Sequence, residues 1–89
     1  MNRPYLEVTF RDGRPMAAYF YLPRKPRQRV HRSVPTQPGL VIDFARNGQP
    51  IGIEITAPTK LSVAALNRVL RRLGQSTVSR DHLAPLRAA

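Results

Sequence analysis

The stretch GLVIDFARNGQPIGIEI, residues 39–55, constrains the fold more than any other part of the chain. On either side of Asn47-Gly48 the apolar residues recur at every second position, and a period of two sends successive side chains to opposite faces of a strand. Asn-Gly tolerates positive φ. A two-residue type I′ turn is therefore expected, pairing Phe44 with Ile51, Ile42 with Ile53 and Leu40 with Ile55. All six apolar side chains then share one face, with Asp43 and Glu54 on the other. Pro50 has no N–H to donate, which predicts that the strand it opens is a sheet edge.

Tyr5 to Phe10 alternates in the same way, with Leu6, Val8 and Phe10 on one side. The segment MAAYFYL sets Met16, Ala18, Phe20 and Leu22 on one face and Ala17, Tyr19 and Tyr21 on the other. A three-residue loop, Arg11 to Gly13, would place Val8 opposite Met16 and Leu6 opposite Ala18. A two-residue Asp12-Gly13 loop would set Thr9 against Met16 and mix the faces, so the longer loop is expected. Residues 23–38 hold four prolines and the basic run RKPRQRVHR. They read as a loop leading into a short strand around 28–34, with Val30 and Val34 pointing inward.

After TAPTK the period changes. Ser62 is a natural cap for a helix in which Leu66, Val69, Leu70 and Leu73 recur at helical spacing, and Gly74 is a natural stop. Ser79 suits a second cap, and Pro85 limits the following helix to about two turns. The expected architecture is α+β in one domain, residues 1–89. It comprises an antiparallel β-meander of four to five strands over 5–56, a helix over 62–73 covering one face, and a tail over 74–89 with a short helix.

The chain has fifteen basic and five acidic residues, a formal net charge of +10, and no cysteine. Disulfides and cysteine-based zinc sites are excluded. Pro4, Glu7 and Thr9 interrupt the apolar run that a leader would need, and no window reaches the length of a membrane span, so a cytoplasmic protein without membrane contact is expected. The positive charge favours polyanions and acidic partners. Candidate contacts are Arg24, Lys25, Arg27, Arg29 and Arg32 in the proline-rich loop, with Arg68, Arg71 and Arg72 on the helix. An arginine-rich composition also arises without function, and a charged run also protects a sheet edge.

The outer sheet face offers a second set of contacts: Tyr5, Tyr19, Tyr21, Asp43 and Glu54. Its tyrosines suit base stacking or, together with Ala17, Val41 and Ala45, an apolar patch for a homodimer. Asp43 and Glu54 are diagonal neighbours roughly 5–8 Å apart in the expected register. A bare sheet face supplies neither the cleft nor the raised pKa values of an acid–nucleophile pair, and only Glu7 is near enough to act as a third hard ligand. Gly-rich phosphate loops, Ser-His-Asp order and zinc spacing are absent from the sequence, so no catalytic residue, cofactor or metal ligand is assigned.

The hairpin, preceded by AAYFYL, resembles a YuzE-like bacterial family of unknown function, domain of unknown function 2283. The resemblance rests on Gly39, Val41, Asp43, Phe44, Gly48, Ile51, Gly52, Ile53, Glu54 and Ile55. It implies no catalytic residue and no cofactor, and it implies a role beside toxin-like proteins as an antitoxin for some members. Family members are commonly acidic in the turn and before it; Arg46 and the RKPRQRVHR run reverse that character. Two functions follow as expectations: a non-enzymatic module binding a protein partner or a second copy of itself, and a basic protein holding nucleic-acid phosphates through its loop and helix.

Overall fold

The computed structural model describes residues 3–87. Five strands, β1 (Tyr5–Arg11), β2 (Arg14–Tyr21), β3 (Arg32–Gln37), β4 (Leu40–Phe44) and β5 (Pro50–Ile55), form one antiparallel sheet. A short 3-10 turn (Pro58–Lys60), helix α1 (Val63–Arg72) and a 3-10 helix (Arg80–Arg87) follow. The α+β class and the antiparallel sheet are those expected. The strand order is not sequential: β1-β2-β5-β4-β3 puts β5 in the centre and β3 at the far edge.

Pro50 therefore does not mark an edge. It opens β5 opposite Phe44, at a register shift that leaves Ile51 without a partner on β4, and the first residue of a strand or a bulge is where a ladder tolerates proline. The edges are β1 and β3, and β3 carries Pro35. Leu40–Ile55 and Ile42–Ile53 pair as expected, whereas the expected Phe44–Ile51 pair is replaced by Phe44–Pro50. The shift arises in the turn. Gly48 N–H donates to Ala45 O and Ala45 N–H to Gln49 O, and Gly48 alone takes positive φ, so the loop is three residues long.

In the first hairpin the correction runs the other way. Asp12 and Gly13 both have positive φ, the signature of a two-residue type I′ turn, and Arg11 faces Arg14. Faces are kept apart by a bulge: Thr9 pairs with Ala17 but Phe10 with Pro15, so Met16 drops out of register. Val8 consequently faces Ala18 and Leu6 faces Phe20. Met16 and Phe10, expected inside, are 47% and 48% exposed. Val30, also expected inside, is exposed, because β3 begins only at Arg32; Val34 pairs with Ile42 and is half-buried.

The core lies on one side of the sheet. Phe20, Leu40, Ile42, Ile53 and Ile55 meet Leu66, Val69 and Leu70 of α1 and Val78, Leu83 and Leu86 of the tail. Phe44 packs against the same cluster. Burying each such Leu or Val completely contributes about 1.5–3 kcal/mol before ordering costs. Ser62 Oγ accepts from Ala65 N–H at 3.0 Å, the expected cap. At the other end Gln75 N–H reaches Leu70 O and Gly74 N–H reaches Arg71 O, with Gly74 left-handed, a Schellman stop. The second helix is longer than expected and is 3-10 throughout. Three residues per turn align Leu83 with Leu86, both 1% exposed, on the core side.

Candidate functional site

The register carries two rows of outward side chains across the sheet. One runs Tyr5, Tyr21, Gly52, Asp43, Ser33 from edge to edge, and the next runs Glu7, Tyr19, Glu54, Val41, Pro35. The candidate residues Tyr5, Tyr19, Tyr21, Asp43 and Glu54 are thus brought together on the face opposite the core. Sequence reasoning missed two residues that organise them, Gly52 beneath Tyr19 and Ser33 beside Asp43, whereas Glu7, named there only as a possible third ligand, does join this face.

Gly52 is the hinge of the arrangement. A Cβ at this position would overlap the Tyr19 ring, so the glycine lets Tyr19 lie across β5. From there Tyr19 Oη donates to Asp43 Oδ2 at 2.8 Å, and Ser33 Oγ donates to Asp43 Oδ1 at 2.6 Å. Asp43 is consequently 3% exposed. Asp43 is thus not a solvated carboxylate on an open face: it accepts from hydroxyls contributed by β2 and β3. Tyr5 stacks on Tyr21 with centroids 4.4 Å apart, Tyr19 meets Tyr21 edge-on at 4.6 Å, and Tyr21 Oη donates to Glu7 Oε1 at 3.2 Å. Ala45, expected in the outer apolar patch, is buried and takes no part in it.

The electrostatics follow. Loss of water and the proximity of Asp43 push the Glu54 carboxyl above its ordinary range. Burial and the hydrogen bond to Asp43 push the Tyr19 phenol up, and loss of water with the Glu7 charge does the same to Tyr21. A shallow recess of about 210 Å³ lies among Glu7, Thr9, Ala17, Tyr19, Glu54 and Thr56. Among the described residues no group of three or more His, Cys, Asp or Glu side chains is placed to hold a metal ion.

The basic candidates occupy several settings. Arg24 lies over the Tyr21 ring at 5.1 Å, at the border of the tyrosine face, and Arg32 lies over Phe44 at 5.4 Å. Arg27 and Arg29 line a hollow with Arg46, which sequence reasoning did not include. Arg71 lines a separate hollow with Arg80 beside the start of α1. Lys25, Arg68 and Arg72 are exposed. Neither hollow contains arginines from both the loop and α1, so the expected union of the two sets is not seen there. Among the described residues no helix is long and apolar enough to cross a membrane.

Fold and face together define a small α+β protein built on an antiparallel sheet with one side covered and one side open. Residues 17–57 match the model of a family described as a protein of unknown function, DUF2283, as the resemblance in the hairpin implied. The matched segment runs from β2 through β5 and includes Tyr19, Tyr21, Asp43, Gly52 and Glu54. No curated protein and no solved structure matches the chain.

Proposed function

We propose that this chain is a non-enzymatic binding module whose open sheet face docks a lysine- or arginine-bearing segment of a partner protein. The observation that carries the reading is a charge reversal. Of the five acidic residues in a chain of net charge +10, Glu7, Asp43 and Glu54 lie on this one face, among three clustered tyrosines. Glu7 and Glu54 flank Tyr19 in register and border the same recess. Two carboxylates beside an aromatic ring suit an ammonium or guanidinium group, through charge-assisted hydrogen bonds and attraction to the ring.

The alternatives fit this face less well. Nucleic-acid phosphates would meet carboxylates, and a two-fold homodimer through the face would set carboxylates against carboxylates, which opposes association. Catalysis would require a free acid or base in a cleft. Asp43 instead already accepts two hydroxyl groups, and the recess beside Glu54 is shallow. An antitoxin-like role, implied by the family resemblance, is one instance of such a module, and a cytoplasmic setting belongs to the same reading.

Titration with a rhodamine-labelled oligo-arginine peptide, read by anisotropy, tests the proposal. Binding despite the chain's own positive charge is expected, with a several-fold loss in Glu7→Gln and in Glu54→Gln. No binding, or binding untouched when both are replaced, would overturn it.

A further inference from the structure

We propose that the hollow between residues 27–31 and the β4–β5 turn is a phosphate-binding site of nucleotide size, separate from the tyrosine face. The hollow has a volume of about 550 Å³, within the range of small-molecule sites, and no Asp or Glu is among its lining residues. Arg27, Arg29 and Arg46 line it together with His31 and Asn47. Guanidinium forks match phosphate oxygens two at a time. The Asn47 Oδ1 is occupied by Gln49 N–H, which leaves the Asn47 amide as a donor for the ligand. Val30, 49% exposed on the same wall, offers an apolar contact for a sugar or base.

A second observation is independent of charge: the hollow is built rather than draped. Gln28 N–H donates to Lys25 O at 3.3 Å, and Lys25 N–H donates to Gln28 Oε1 at 2.9 Å. Gln28 Nε2 then reaches Gln49 Oε1 at 3.0 Å, and Gln49 Nε2 reaches Pro23 O at 3.4 Å, tying the loop to the far turn. Within this frame Arg27 is held at φ 73°. The cause is the turn itself: with Pro26 in its second position, the third position of the Lys25–Gln28 turn takes positive φ, at a cost of about 1–2 kcal/mol for a non-glycine residue. Glycine would sit there without strain, but only a side chain such as that of Arg27 lines the hollow.

The shared chemistry is a phosphate oxyanion, from a free nucleotide or from a nucleic-acid backbone, and two probes separate these sources. Nucleoside triphosphate and a short single-stranded oligothymidylate would each be titrated calorimetrically into the full chain at moderate salt. Arg27→Gln and Arg46→Gln are each expected to weaken binding about tenfold or more, the scale of one hydrogen bond to a charged group. Arg71→Gln and Arg72→Gln, which alter the net charge equally, should leave it within about twofold. Triphosphate binding with this pattern identifies a free nucleotide site, and oligonucleotide binding alone with this pattern identifies a strand-backbone site. Equal losses from the helix variants, or no binding of either probe, would overturn the proposal, with circular dichroism confirming that each variant is folded.

Discussion

Tyr19 occupies the space that a side chain at Gly52 would fill, and from that position its hydroxyl reaches Asp43. Gly52→Ala must therefore displace the ring and break the hydrogen bond. A loss of about 1–3 kcal/mol is expected, the usual cost of overpacking at a well-packed contact. Urea denaturation of Gly52→Ala and Tyr19→Phe checks it. If the glycine variant is as stable as the parent, Tyr19 is not held as described.

Glu54 gives a pH dependence whose sign follows from its surroundings. Burial first, and the Asp43 charge second, raise its pKa above the ordinary 4.5, so the folded chain holds this proton more tightly than the unfolded chain. The associated stability is fully present below about pH 4.5 and is lost as pH rises through the folded value. Glu54→Gln should abolish this component. The difference in denaturation midpoint between parent and variant is then expected to shift against the parent as pH rises from the acid range; parallel curves would contradict the assignment.

At the alkaline end Tyr19 and Tyr21 behave alike. Their folded pKa values lie above the ordinary 10.0, so the stability they contribute is complete below that pH and is lost above it. An ultraviolet titration should show phenolate appearing at higher pH in the native chain than in the urea-unfolded one. Tyr19→Phe should remove the most delayed part of that rise.

The tail is fastened by Asn67, whose Nδ2 donates to Val78 O at 2.9 Å while its Oδ1 accepts from Val78 N–H at 2.8 Å. Asn67→Ala leaves two buried backbone groups without partners, each worth about 1–3 kcal/mol. Faster amide exchange at Val78, with destabilisation on that scale, is expected. Unchanged exchange would show that the tail is held by Leu83 and Leu86 alone.

Arg27→Gly should separate stability from binding. Glycine accepts φ 73° without a Cβ penalty, so the variant should gain up to about 1 kcal/mol while losing affinity for phosphate probes. Loss of stability would mean that the Arg27 side chain, and not its backbone setting, holds the loop.

Local pattern carried the elements and much of the register, but not the choice of neighbours. The pairs Leu40–Ile55 and Ile42–Ile53 follow from alternation alone. The two bulges, at Met16 and Ile51, do not: each reconciles a turn of one length with faces set for another. Nothing in the period of β5 says that it pairs with β2 as well as β4. Its near-complete burial was legible only as an apolar run, and Pro50 argued for an edge. The same gap hid the character of Asp43. Its face was readable, but its burial depends on Tyr19, two strands away, crossing the glycine of the neighbouring strand and on Ser33 arriving from the edge strand β3.

The central claim is that the open face, with its tyrosines and carboxylates, receives a basic partner segment. Amide chemical-shift mapping during titration with an arginine-rich peptide tests it most directly. Shifts concentrated at Glu7, Tyr19, Tyr21, Gly52 and Glu54, growing saturably with peptide, are expected. Shifts confined to α1 or to the Arg27–His31 loop, with the sheet face silent, would contradict it.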